Sequence, residues 1–80
     1  MTQGTEPPRE EDWSVGAIGL AAGEVWQLLK QKGRMSLRTV ERGVPGPRPR
    51  VLMALGWLAR EGKIALEHRG HELEFWLTEA

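Results

Sequence analysis

Apolar residues recur with the period of an α-helix between residues 18 and 32. At about 100° per residue, one helical face collects Ile18, Ala21, Ala22, Val25, Leu28 and Leu29. Lys30 and Lys32 then precede Gly33, and cations followed by a glycine are typical of a helix C-terminus. The pattern therefore predicts a first helix that ends at Gly33. Ser14 is a candidate cap for an earlier turn, although two glycines nearby weaken that prediction.

A second, shorter helix is predicted over residues 37–43. Ser36 directly precedes it and is a suitable N-cap, because a serine hydroxyl accepts a hydrogen bond from the backbone of the first turn. Before that cap, Arg34-Met35 is a candidate short strand. After the helix, the sequence Val44-Pro45-Gly46 predicts a turn, since proline and glycine interrupt helical structure.

The third helix is predicted to begin between Pro47 and Arg50 and to end at Gly62. Prolines are compatible with this start, because the first-turn N–H groups of a helix have no intrahelical partner. With Leu55 taken as the direction of the core, the other inward positions are Val51, Leu52, Leu58 and Ala59. The outer face then carries Arg50, Met53, Trp57 and Arg60.

Apolar and polar residues alternate over residues 64–78, which predicts a β-hairpin. The inward positions are Ile64, Leu66, Leu73, Phe75 and Leu77, and the outward positions are Ala65, Glu67, Glu72, Glu74 and Trp76. The sequence His68-Arg69-Gly70-His71 supplies a turn that contains glycine. Helix, turn, helix and hairpin is the order of a winged helix-turn-helix domain. We therefore predict an α+β fold with three helices, a C-terminal hairpin wing and a candidate short strand near Met35.

Length and composition set the domain organisation. Eighty residues form one domain at most. Residues 1–14 contain few apolar side chains, so we expect a disordered acidic tail before a domain at 15–80. No segment is long and apolar enough to span a bilayer, and the acidic residues before Trp13 do not fit a signal peptide. We expect a cytoplasmic protein, which agrees with the absence of cysteine.

Charge is distributed unevenly along the chain, although the formal net charge is zero. Residues 30–60 carry two lysines and six arginines against Glu41 alone, a net charge of +7. Residues 1–12 and residues 61–80 each carry a net charge of −3. Such an asymmetry within one domain is typical of proteins that bind nucleic acid.

Two blocks of sequence resemble a known family. The first is Ile18-Gly19 with Ala22-Gly23 and Val25-Trp26. The second and more specific block is Ala54-Leu55-Gly56-Trp57-Leu58-Ala59-Arg60-Glu61, followed by Lys63-Ile64. Over about residues 16–78 the chain is similar to the small bacterial single-domain winged helix-turn-helix family of unknown function. The resemblance implies the fold and a DNA-binding type of topology, but no established activity. The proline-rich turn at 44–50 departs from the family pattern.

The first functional hypothesis is that the domain binds double-stranded DNA. In a helix-turn-helix, the N-terminal part of the recognition helix contacts bases and its neighbours contact phosphates. Arg48 and Arg50 fall at that N-terminal part, and the candidate phosphate contacts are Arg34, Arg38 and Arg42. Arg69 at the hairpin tip is a candidate to enter a minor groove. The alternative for these arginines is a solvated basic face with local ion pairs, such as Glu41 with Arg38. The acidic flanks of the hairpin also oppose phosphate binding.

The second hypothesis is a protein-interaction or homodimerisation module on the same scaffold. Met53 and Trp57 on the outer face of the third helix, with Trp76 of the hairpin, match the composition of interfaces. The alternative is that Trp57 is covered by the hairpin, by Trp76 or by the segment around Trp13. An enzyme is not expected, because no catalytic constellation or phosphate loop is present, and no small-molecule substrate or cofactor is indicated. His68 and His71 fit a solvated turn better than a metal site.

Overall fold

The computed structural model describes residues 13–78 as a winged helix-turn-helix domain, which confirms the predicted α+β fold. Its elements are α1 (Val15–Lys32), β1 (Met35–Ser36), α2 (Leu37–Gly43), α3 (Arg48–Arg60), β2 (Ile64–Arg69) and β3 (Glu72–Leu77). The predicted tail covers residues 1–14, of which residues 1–12 lie outside the described residues.

Helix α1 begins at Val15, three residues earlier than its apolar period predicts. Ser14 is the reason, because its Oγ accepts a hydrogen bond of 3.0 Å from the backbone N–H of Ala17. At the other end, Gly33 has a φ of 83° and donates its N–H to the carbonyl of Leu29 at 2.8 Å. The cap and the glycine stop thus set both ends of the helix.

The caps of α2 and α3 and the turn between them define the helix-turn-helix segment. Ser36 caps α2 as predicted, since its Oγ accepts a hydrogen bond of 3.2 Å from the N–H of Thr39. Gly46 takes a φ of 111°, which side-chain-bearing residues rarely adopt. Helix α3 begins at Arg48, within the predicted interval. Its N-cap residue is Pro47, which makes no side-chain cap hydrogen bond.

The sheet has three antiparallel strands in the order β1-β3-β2. The short strand is Met35–Ser36, one residue later than predicted, and Met35 pairs with Phe75. Strands β2 and β3 form the predicted hairpin, joined by a two-residue loop in which Gly70 has a φ of 63°. The sheet therefore ties the end of the chain to the segment that precedes α2.

The core lies where α1, α2 and α3 meet the inner face of this sheet. Its buried members are Ala21, Ala22, Val25, Leu29, Met35, Val40, Val44, Val51, Ala54, Leu55, Leu58, Ile64 and Phe75. Each described helix and strand contributes at least one side chain to this cluster. The inward positions predicted for α1 agree with it except Ile18, which is half-buried outside the cluster. In the middle of β3, Phe75 is buried as predicted.

The orientation of α3 differs from the prediction. Its buried residues centre between Ala54 and Leu58 rather than on Leu55, which is a rotation of about 70° at 100° per residue. Leu52, predicted to be inward, is 37% exposed as a result, and Arg50, predicted to be outward, is only 6% exposed. The prediction failed because apolar residues occupy more than one side of α3, and the side that becomes buried is set by packing against α1.

Leu66 is the second inward prediction that the structure corrects. It pairs with Phe75 and so lies on the inner side of the sheet, yet it is 49% exposed. Strand β2 is an edge strand, and its side chains are exposed from Leu66 onward. Only the start of β2 is buried. The alternating pattern therefore predicted the correct side of the sheet for Leu66 but not its exposure.

Candidate nucleic-acid interface

Helix α2 exposes two arginines on one face. Arg38 and Arg42 are four residues apart and are therefore neighbours on the helix surface. Within residues 13–78, neither guanidinium forms an ion pair with a carboxylate. Both charges are therefore available to an anionic partner.

A groove separates α2 from the hairpin tip. It is open, has a volume of about 430 Å³, and is lined by Leu37, Arg38, Glu41, Arg48, His68, His71, Glu72 and Leu73. Inside it, Arg48 Nε donates a hydrogen bond of 2.7 Å to Glu41 Oε2. The predicted pairing of Glu41 with Arg38 is therefore wrong, because the first turn of α3 brings Arg48 to that carboxylate instead. Arg48 remains largely exposed.

A second groove lies on the other side of the two arginines, between α2 and the end of α1. It has a volume of about 500 Å³ and is lined by Leu28, Lys32, Arg34, Met35, Thr39, Arg42 and Gly43. No carboxylate belongs to this lining. Arg38 and Arg48 line the first groove, and Lys32 and Arg42 line the second. We use the name "α2 basic surface" for these four residues.

Arg34 lines the second groove, but its charge is paired with carboxylates of the hairpin. Its Nε donates to Glu74 Oε1 and its Nη2 donates to Glu67 Oε1, both at 2.7 Å. These hydrogen bonds, with Glu74 the larger contributor, raise the pKa of Arg34 above its usual range. The guanidinium also stacks 4.1 Å from the ring centroid of Trp76. Arg34 thus neutralises acidic residues of the hairpin, and a phosphate would have to compete with both carboxylates.

Arg50 does not lie on the exposed side of α3, where a base contact was predicted. Its side chain is buried, and a Cβ atom built on Gly46 would stand 2.5 Å from Arg50 Nη2. The rotation of α3 explains this position, because it turns Arg50 into the α2–α3 turn. The side chain therefore packs inside the turn rather than extending toward a ligand.

Arg69 ends strand β2 and is exposed at the hairpin tip, as predicted. Its Nη1 lies 3.8 Å from Glu74 Oε1, which makes a loose surface ion pair. Glu67, Glu72 and Glu74 lie on the same hairpin, and Arg34 and Arg69 together pair with the first and the last of them. The hairpin strands therefore offer a phosphate one arginine, Arg69, beside several carboxylates.

The three residues of the alternative protein interface are in different environments. Met53 is 49% exposed on α3. Trp57 is half-buried and packs on the core, and the Cβ position of Gly19 in α1 is 3.6 Å from its ring. Trp76 is half-buried beneath Arg34. Trp57 is thus a packing residue between α1 and α3, and Trp76 is covered by the guanidinium of Arg34.

The sequence predicted only part of the exposed face of α3. Besides Met53 and Arg60, which were predicted to be outward, that face carries Pro49, Leu52 and Gly56. The signal was the helical period itself, because these positions align when the core direction is moved toward Ala54. Among the described residues, no group of three or more His, Asp or Glu side chains could hold a metal ion. None of the described helices has the length and apolar character required to cross a membrane.

Three helices, a small antiparallel sheet and a C-terminal hairpin define the winged helix-turn-helix class. Residues 10–77 match the family model described as "Winged helix-turn-helix domain (DUF2582)", and the chain belongs to this family. The chain is similar to protein BT2368 from Bacteroides thetaiotaomicron, known from a solution NMR structure, with 32% identity and a TM-score of 0.68. That likeness covers 75% of this chain and 73% of the other. No curated protein matches the chain in sequence. The resemblance found from the third-helix block is thereby confirmed.

Proposed function

We propose that this domain binds double-stranded DNA through the α2 basic surface, as a small transcriptional regulator would. The observation that carries the proposal is the pair Arg38 and Arg42, which have no ion-pair partner among residues 13–78 and stand between two further cations. A duplex presents closely spaced phosphates, and contacts to them supply most of the affinity of non-specific binding. Winged helix-turn-helix folds often bind DNA, which supports the proposal.

The arrangement favours contacts to the phosphate backbone over hydrogen bonds to bases. Arg48 is the one exposed arginine in the first turn of α3, and it is already bonded to Glu41. The carboxylates of the hairpin favour an approach in which α2 and α3 meet the duplex while the wing makes contact only near Arg69. Because phosphate contacts position a protein without reading sequence, we expect the contacts of the α2 basic surface to tolerate many sequences.

An NMR titration of the labelled chain with a short duplex tests the proposal. We expect shifts at Arg38, Arg42 and Arg48 that shrink when salt is raised, because released counterions drive the binding. Lys63 is the matched control, since it pairs with Glu61 at 3.7 Å beyond the far end of α3 and should not shift. Shifts that are absent, or that ignore salt, would contradict the proposal.

A second candidate function, protein interaction or homodimerisation, is favoured by the exposed thioether of Met53. It predicts shifts at Met53 that depend on protein concentration in the absence of DNA. Trp57 and Trp76 contribute less to this candidate than the sequence implied, because both are partly covered. We propose no enzymatic activity, since winged helix domains are typically non-enzymatic. A cytoplasmic location follows from the DNA-binding proposal.

A further inference from the structure

The exposed face of α3 lacks hydrogen-bonding side chains over its central part. Between the first and last turns, this face consists of Pro49, Leu52, Met53 and Gly56. At 100° per residue these four positions fall within about 100° of one another. None carries a side-chain N–H, O–H or carbonyl group. A helix that presents this surface has no means of reading donors and acceptors on base edges.

Positive charge borders this face at its N-terminal end and lies on it at its C-terminal end. Arg48 lies in the first turn and Arg60 in the last turn, and both are exposed. The two positions are about 18 Å apart along the axis, at 1.5 Å per residue. The α2 basic surface continues the charge beyond Arg48. The complementary partner therefore has a weakly polar centre with negative charge on either side.

We propose that this face reads thymine methyl groups in the major groove of duplex DNA. The inference rests on the proposed function and names the feature of the duplex that α3 recognises. The major groove is about 12 Å wide, is bordered by phosphates, and exposes the C5-methyl group of thymine as its apolar feature. Leu52 and Met53 would contact methyl groups while Arg48 and Arg60 lie near the bordering phosphates. Preference for thymine would then come from apolar contact alone.

The charges disfavour a second copy of the chain as the occupant. In a two-fold pairing of this face with antiparallel helices, Arg48 of one copy would oppose Arg60 of the other. In a parallel pairing, each arginine would oppose its own equivalent. Both arrangements bring like charges together, which is unfavourable at an interface. A duplex meets the same arginines with phosphates.

Two duplexes of one sequence, with thymine or with uracil, provide the test. Uracil lacks the methyl group but keeps the same base pairing and the same number of phosphates. We expect the uracil duplex to bind about fourfold more weakly for each methyl group that the protein buries, from the transfer of one methyl-sized group. The salt dependence should be the same for both duplexes, because it reports phosphate contacts.

Variants identify the residues responsible. Leu52→Ala and Met53→Ala should bind both duplexes alike, and their exposed side chains make loss of the fold an unexpected outcome. Leu20→Ala is the matched control, because Leu20 is equally apolar and 58% exposed on α1, and it should keep the preference for thymine.

The results separate the inference from the proposed function. Equal binding of the two duplexes by the unaltered chain would overturn methyl recognition and leave DNA binding intact. Failure to bind either duplex would overturn both. If the chain then proved dimeric by sedimentation, and Met53→Ala made it monomeric, the face would belong to a protein interface instead.

Discussion

Replacing Gly46 with alanine is expected to destabilise the domain through the turn between α2 and α3. Gly46 has a φ of 111°, a conformation that an L-residue with a side chain rarely adopts. The new Cβ atom would also lie 2.5 Å from Arg50 Nη2, closer than non-bonded atoms approach. The substitution therefore strains the backbone and displaces a buried guanidinium in the same step.

The backbone term alone sets the expected size of the effect. A residue held in such a sparsely populated region costs about 1–3 kcal/mol of folding free energy. In a domain of this length, each kcal/mol lowers Tm by about 4–8 °C. We therefore expect Gly46→Ala to lower Tm by about 4–24 °C, and displacement of Arg50 adds to that loss.

Thermal and urea denaturation followed by circular dichroism would measure the change. Gly56→Ala is the matched control, because Gly56 lies inside α3 with open space around its Cβ position. There alanine should stabilise the helix by about 0.5–1 kcal/mol. The two substitutions add the same methyl group, so their difference in sign isolates the conformation of the turn. If Gly46→Ala proved as stable as the unaltered chain, the described turn and the packing of Arg50 against it would both be wrong.

Three further predictions concern the sheet, the cap of α2 and the hairpin charges. Phe75→Ala should cost about 3–5 kcal/mol of stability in urea titration because the ring is buried, whereas Leu66→Ala, its cross-strand partner, should stay within about 0.5 kcal/mol. A similar cost for both would contradict the exposed end of β2. Ser36→Ala should lower stability by about 1 kcal/mol, with Ser36→Asp as the variant that restores the cap. Arg34→Ala should lower Tm more at low salt than at high salt, because the lost ion pairs are screened by ions. A salt-independent change would instead assign the role of Arg34 to its stacking on Trp76.

The order of elements could be predicted from the sequence because each boundary carries a local signal. Ser36 before α2, the prolines before α3 and the glycine stops all act through the adjacent backbone. The hairpin followed from alternation and from a glycine in its loop. Such signals do not depend on what packs against an element, and the helix and hairpin boundaries predicted from them agree with the structure to within a few residues.

The rotation of α3 and the pairing of the arginines could not be predicted in the same way. Leu52 and Leu55 are chemically alike, and only the packing of α1 against α3 decides which one is buried. Glu41 has arginines nearby on its own helix, yet its partner is Arg48 because the α2–α3 turn brings the helices together. Arg34 is separated by some 40 residues from Glu74, so their contact depends on the sheet register. These features arise from tertiary structure.

The salt dependence of duplex binding tests the central claim most directly. If the four cations of the α2 basic surface each contact a phosphate, they should contribute roughly −3.6 to the slope of log K against log salt. The double variant Arg38→Ala/Arg42→Ala should reduce the steepness by about 1.8, and the control Lys63→Ala should leave it unchanged. Binding whose slope is the same in the double variant and in the unaltered chain would contradict the claim that α2 is the DNA-binding surface.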